Sequence, residues 1–356
     1  MVLFLPFLQA LRQAYPDAYL GALFSFSNGA DLLLKSVDRL VDEVVVLNLQ
    51  GKGRIARIWS GLRAGLRGWD MTIIRFNGVN AEVIVAALAG CSKWRVGHSS
   101  TEEYVNRWNS LLNVPVKMEP GSHEVDRYLT LATGMNIDVP GRLPLLELPS
   151  AVLDRIKRTI EGLGSNPQQF IVLVPGTSRA QQWKRWPELN WVELVRLLEK
   201  QGIYNVLAGS ADEAELCRRI INRAGSPKHS ISLAGKCSLI ESIALCDLAR
   251  VVVCCDSGLM HISAAVNTPV IALFGPTDDT RTGPLGDGHV IIRANSCRGR
   301  CFTLADPHGH TKCNAEECMT AIEPRNVYEA ILKKLELEPL KVPSPSQDTI
   351  RFKLRD

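Results

Sequence analysis

The chain has 356 residues, room for roughly two domains of about 150 residues each. Hydrophobic residues make up 46% and charged residues 22%, with 27 Gly and 19 Pro. This is an ordinary globular composition that excludes a disordered, collagen-like or small disulfide-scaffold chain. With 41 Lys and Arg against 37 Asp and Glu, the net charge of +4 is too small to announce a nucleic-acid partner, and any basic surface must be local.

No apolar run reaches the roughly 18 residues of a membrane-spanning helix. The opening run from Met1 to Leu8 is broken by Pro6 and lacks a basic flank, and Arg12 and Gln13 follow too soon for a cleavage site, so a secretory signal is not expected. Ten scattered cysteines suit a reducing cytoplasm. In chain order, residues 43–47 and 71–75 read as strands and 81–89 as a helix. Ser100 with Glu103 reads as a capping box opening a helix whose apolar face is Tyr104, Val105, Trp108, Leu111 and Leu112. Residues 136–150 carry three prolines and little periodicity, and read as a linker or domain edge.

From residue 169 the alternation sharpens. Residues 170–174, 204–208, 251–255 and 270–274 are continuous apolar runs, as buried parallel strands should be. Between them the best helix pattern is 188–200, with Pro187 at its start and Trp191, Leu194, Val195 and Leu198 on one face. Such alternation implies an open parallel sheet covered by helices. A last amphipathic helix runs from about 325 to 337, and residues 338–356 read as a mobile tail.

Three strand ends carry candidate chemistry. At Asp256-Ser257-Gly258-Leu259-Met260-His261 a strand runs through small residues into a helix, so free N–H groups and the positive helix end face the space above the sheet, where an anion such as a pyrophosphate fits. Asp256 suits sugar hydroxyls; its bland alternative is an N-cap. Pro175-Gly176-Thr177-Ser178 followed by Lys184-Arg185-Trp186-Pro187 supplies hydroxyls and cations at a second strand end. The third is Phe274-Gly275-Pro276-Thr277-Asp278.

In order and spacing these segments, with Gly235-Lys236, resemble the donor half of glycosyltransferase family 9, the ADP-heptose lipopolysaccharide heptosyltransferases and their relatives. The likeness covers most of residues 169–325 and extends more weakly into the first half, through residues 6–20 and 123–128. It implies an α/β fold of GT-B type, two Rossmann-like domains facing a central cleft: an acceptor-side domain over 1–145 and a donor-binding domain over 146–337. It implies an inverting transfer, without a required cofactor, of heptose from ADP-heptose to a lipopolysaccharide core or other lipid-linked glycan. Thr177 and Ser178 would contact phosphate, Lys184 would neutralise the leaving diphosphate, and Asp256 would hold sugar hydroxyls. Ser257 and Gly258 would donate N–H groups to the pyrophosphate, and His261 would orient the ligand or pack the turn. Residues 209–213 suit a nucleotide-side loop or a solvated surface. The family's first strand and its Gly-Asp turn, which bears the proposed catalytic base, have no counterpart after Met1. The chain therefore reads as one with an incomplete start, or as one that has lost transferase activity and is an inactive nucleotide-sugar-binding protein. A further alternative keeps the fold with a different nucleotide-sugar, since the pyrophosphate motifs do not identify the base.

Two features stand outside these motifs. Ile55, Ile58, Trp59, Leu62, Leu66 and Trp69 fall within about 100 degrees of a helical wheel. They are flanked by Lys52, Arg54, Arg57, Arg63 and Arg67, with no acidic residue from 44 to 69. This reads either as a helix packed on its domain core or as one resting on an anionic membrane, a peripheral position at the inner face of the inner membrane. Cys297, Cys301, Cys313 and Cys318, with His308 and His310 between them, have spacings compatible with structural zinc or an iron–sulfur cluster, and equally with free thiols or a disulfide.

Overall fold

A computed structural model describes the chain except residues 26, 28, 50, 52, 76–80, 102, 103, 105, 107, 120, 163–168, 295–299, 303–314, 338–347 and 356. It divides into two compact units, meeting in sequence between Arg142 and Leu143.

The first unit contains α1 (Leu5–Ala14), β1 (Gly21–Phe24), α2 (Ala30–Ser36), β2 (Glu43–Val46), α3 (Arg54–Gly65), β3 (Met71–Ile74), α4 (Ala81–Ala89), β4 (Trp94–His98), β5 (Val114–Val116) and α5 (Glu124–Thr133). Its strands pair in parallel as β1–β2 and as β3–β4–β5. Helix α3 lies against α4 through its glycines. A Cβ on Gly65 would stand 2.3 Å from the Ala86 carbonyl oxygen and 2.7 Å from Ala89 Cβ. Only a bare backbone allows this approach, so the glycines turn one face of α3 inward and leave its large apolar side chains to the other.

The helix expected after Ser100 does not form among the described residues, where a short 3-10 turn covers Asn109–Leu111. The Ser100 hydroxyl accepts from the Asn106 N–H at 2.9 Å instead of capping a helix, and the Asn106 side chain bonds the His98 carbonyl and the Trp108 N–H. Local side-chain bonds have outcompeted helical ones. Trp108, Leu111 and Leu112 still pack inward, against Ile74, Ile84 and Ala87.

The second unit contains β6 (Leu143–Glu147), α6 (Ser150–Gly162), β7 (Phe170–Val174), α7 (Glu188–Lys200), β8 (Tyr204–Leu207), α8 (Ala214–Ala224), β9 (Ser230–Ser232), α9 (Leu239–Leu248), β10 (Val252–Cys255), α10 (Gly258–Ala265), β11 (Val270–Phe274), α11 (Asp279–Thr282), β12 (Val290–Arg293), α12 (Ala315–Thr320), α13 (Pro324–Leu337) and β13 (Thr349–Lys353). Six strands form one parallel sheet in the order β12-β11-β10-β7-β8-β9. Strands β7, β10 and β11 are buried at every position, which is why they read as unbroken apolar runs.

Two expectations change here. Residues 143–147, read as part of a linker, form β6, and 349–353, read as part of a mobile tail, form β13, which pairs with β6 in parallel. Both are short and bury alternate residues, Pro144 and Leu146 on one strand and Ile350 and Phe352 on the other. A period of two over so few positions gives a weak sequence signal. Pro144 is tolerated because β6 lies at the edge of a two-stranded ribbon.

His98 closes β4 and is 1% exposed. Its Nε2 lies 2.8 Å from the Arg127 carbonyl on α5, which can only accept, so Nε2–H donates. Burial pushes the ring down to about 4 from its ordinary 6.5. Because the folded value lies below the unfolded one, the neutral ring stabilises this unit above pH 6.5, and that stability is lost as pH falls through 6.5 towards 4. Urea unfolding followed across this range should show the wild type losing about 3 kcal/mol more than His98→Gln. Parallel profiles for the two proteins would refute the assignment.

Candidate functional site

The site grows from the topology of the six-stranded sheet. From β7 the chain steps outward to β8 and β9, then returns to the other side of β7 to lay down β10, β11 and β12. Strand order therefore reverses between the neighbours β7 and β10. Their carboxyl ends diverge into loops on opposite sides, opening the crevice in which parallel α/β sheets hold ligands. Pro175-Gly176-Thr177-Ser178 leaves β7 there, and Asp256-Ser257-Gly258 leaves β10.

Lys184 joins the two loops. Its Nζ donates to Asp256 Oδ2 at 2.8 Å, and each residue is 8% exposed. Asp256 is thus an ion-pair partner, and Ser257 rather than Asp256 occupies the N-cap of α10. Ser257 has extended backbone geometry and its side chain caps nothing; its buried Oγ has no hydrogen-bond partner among the described residues. A buried hydroxyl without a partner costs free energy that a ligand can recover. It stands where the first-turn N–H groups of α10 also lack intrahelical acceptors and the helix end is positive. A Cβ on Gly258 would meet nothing within 4 Å, so packing does not dictate this glycine, and space remains above it. His261 follows, half-buried, on the same turn.

The loop after β7 is built differently. Thr177 is 5% exposed. Its hydroxyl donates to the Gln181 carbonyl at 3.0 Å and accepts from Arg185 Nε at 3.3 Å, while Arg185 also donates to the Thr177 carbonyl at 2.9 Å. Thr177 is therefore bonded within its own loop, whereas Ser178 is exposed. Glu213 packs directly against Gly176: a Cβ there would stand 1.8 Å from Glu213 Oε1, so that side chain would have to move. Glu213 in turn closes a capping box with Ser210, its Oε2 accepting from the Ser210 N–H at 2.7 Å.

Sequence reasoning missed an aromatic pair beside the lysine. Trp183 and Phe302 lie with ring centroids 4.9 Å apart, and Lys184 Nζ sits 5.4 Å from the first and 6.0 Å from the second. The Arg281 guanidinium stands 6.0 Å from the Phe302 ring. Trp183 adjoins the lysine motif, but Phe302 comes from beyond β12 and no local pattern announces it. The third segment is held by Arg293, which donates to the Gly275 carbonyl at 2.6 Å, the Thr277 carbonyl at 2.8 Å and the Asp279 carboxylate at 2.8 Å. Cys255, between strand and site, is no nucleophile, because burial pushes its thiol up to about 12.

This arrangement concentrates positive charge and hydroxyl donors around one carboxylate at a switch point. The profile described as "Glycosyltransferase family 9 (heptosyltransferase)" matches residues 57–312, more than half the chain and parts of both units. The chain belongs to glycosyltransferase family 9. Lipooligosaccharide heptosyltransferase 2 of Haemophilus influenzae is 36% identical over 182 residues, 48% of this chain and 51% of that protein. This chain thus spans about half the length of that relative. Lipopolysaccharide heptosyltransferase 3 of Escherichia coli is 27% identical over 306 residues, 84% of this chain and 86% of that protein. The solved structure of E. coli ADP-heptose lps heptosyltransferase II superposes with a TM-score of 0.69 at 22% identity, over 94% of this chain and 95% of that one. The fold is that of the GT-B heptosyltransferases, an α/β fold of parallel sheets covered by helices.

Of the four clustered cysteines, Cys297 and Cys313 lie outside the described residues, as do His308 and His310. Cys318 is buried, its Sγ 3.0 Å from where a Gly275 Cβ would be. Among the described residues no three His, Cys, Asp or Glu side chains gather as a metal requires.

The ion pair makes a stability prediction. Lys184→Met leaves Asp256 charged and buried without its partner, and chemical denaturation should show a loss of about 3 kcal/mol. Lys184→Met combined with Asp256→Asn should recover part of that loss. If the single variant proves as stable as the wild type, the pair is not buried as described.

Proposed function

We propose that this protein transfers heptose from ADP-heptose to a lipopolysaccharide core acceptor by an inverting single displacement. The observation that carries the reading is the Lys184–Asp256 pair at the switch point, beside the unpartnered Ser257 hydroxyl and the N-terminus of α10. Membership of the family and the heptosyltransferase names of its relatives support the donor and the acceptor.

In this reading the second unit binds the donor and the first receives the acceptor. The diphosphate lies over the α10 N-terminus, taking hydrogen bonds from the N–H groups around Ser257 and Gly258 and from the Ser257 and Ser178 hydroxyls. Thr177 contributes by fixing the loop that presents Ser178, and its hydroxyl reaches phosphate only by leaving Gln181. Asp256 holds sugar hydroxyls, and His261 orients the ligand from the first turn of the helix. An acceptor oxygen attacks the anomeric carbon from the face opposite the leaving group, the bond to the diphosphate oxygen breaks, and the nucleoside diphosphate leaves with the electron pair. The acceptor proton passes to a base on the acceptor side, a role assigned to no residue of this chain. Lys184 is held by Asp256 until the diphosphate develops its charge, which the ammonium and the helix end then stabilise. The protein works at the cytoplasmic face of the inner membrane, where a lipid-linked acceptor is within reach.

Calorimetry with ADP and a transfer assay with ADP-heptose and heptose-deficient lipopolysaccharide test this reading. Lys184→Ala should lower the transfer rate by about 100- to 1000-fold, and Lys184→Arg should restore part of it. Unchanged ADP binding and transfer in Lys184→Ala would remove the lysine from the site. Tight ADP-heptose binding without transfer would favour a nucleotide-sugar-binding protein instead.

A further inference from the structure

Helix α3 shows an unusual distribution of side chains. An amphipathic helix of a globular domain ordinarily turns its apolar stripe to the core. In α3 the inward residues are Gly61 and Gly65, and most of the stripe faces out: Ile55 is 74% exposed, Ile58 39%, Trp59 64%, and Leu66, just past the helix end, 69%, while Leu62 and Trp69 are half-buried. The reason is the close approach to α4, where backbone and alanines leave room for glycine only.

The stripe is bordered by cations. Taking 3.6 residues per turn, Arg63 and Arg67 border it on one side; Arg54 borders it on the other, at the angle of the two glycines but at the first residue of the helix, and all three are exposed. Arg67 pairs with Glu43; Arg57 is half-buried and lies on the face opposite the stripe, and Lys52 lies outside the described residues. We propose that this face of α3 is the surface on which the protein docks to an anionic lipid bilayer. The proposal deepens the membrane-side reading given above and rests on it.

Charge decides the occupant. From residue 44 to residue 69 there is no carboxylate, so two copies meeting face to face through α3 would oppose arginine to arginine with no acid on the helix to answer them. An anionic bilayer reverses the sign of that interaction. Its headgroups attract the flanking guanidinium groups while the acyl boundary takes the isoleucines, Leu66 and Trp59, an aromatic of the kind that anchors at such interfaces. The 12 residues of the helix give it a length of about 18 Å, too short to span a bilayer and suited to lying in its surface.

Co-sedimentation of the full chain with vesicles tests this. Vesicles of phosphatidylglycerol and phosphatidylethanolamine should bind it, those of phosphatidylcholine alone should not, and added salt should weaken binding. Replacing Ile55, Trp59 and Leu66 together by Ser should abolish binding, and Arg54→Gln with Arg63→Gln should weaken it by about 30-fold. ADP calorimetry on each variant should match the wild type, showing that the donor unit is intact. The proposal is overturned if the wild type ignores anionic vesicles, or if the triple-Ser variant binds them equally. It is also overturned if sedimentation velocity shows a dimer that the triple-Ser variant loses while neither protein binds vesicles. A wild type that binds anionic vesicles but not ADP would instead count against the donor-site reading alone.

Discussion

A buried lysine and a buried aspartate 2.8 Å apart connect the loops after β7 and β10, and the chemistry of the second unit depends on them. Each charge alone would be costly to hold at such low exposure; together they are tolerable, though such a pair adds little net stability. Its value lies in keeping an ammonium and a carboxylate in position where strand order reverses. In the proposed reading, a diphosphate bound there would meet a cation already desolvated and oriented, leaving little reorganisation for the reaction step. The aromatic pair Trp183 and Phe302 restricts the lysine from the other side.

The two units use glycine for different ends. Gly176 in the second unit clears room for Glu213, whose capping box with Ser210 lies at the start of α8, against the loop after β7. Gly65 in the first unit brings α3 onto α4, with Gly61 buried on the same face, and so decides which side of that helix meets solvent. In both places a missing side chain, rather than a present one, shapes the local surface.

Much of the second unit could be read from the sequence, because fully buried parallel strands are unbroken apolar runs and their ends carry the polar motifs. Thr177, Lys184, Asp256 and Ser257 were legible for that reason. The roles of two of them were not. Spacing cannot tell that Asp256 pairs with Lys184, 72 positions away, or that the Thr177 hydroxyl is committed to Gln181. Phe302 was invisible as a site neighbour because its contacts are tertiary, and the packing of Glu213 against Gly176 was invisible for the same reason. In the first unit, the direction of the α3 stripe depended on the partner helix. Among the described residues the helix expected after Ser100 does not form, and the Ser100 hydroxyl that was to cap it accepts from the Asn106 N–H. Strands β6 and β13 were too short for their alternation to register.

The most direct measurement is a crystal structure of the protein with ADP bound. The account predicts the diphosphate over the first turn of α10, within hydrogen-bond reach of Lys184 Nζ, Ser257 Oγ and the adjoining N–H groups. ADP bound away from the carboxyl ends of β7 and β10, with Lys184 and Ser257 untouched, would contradict it.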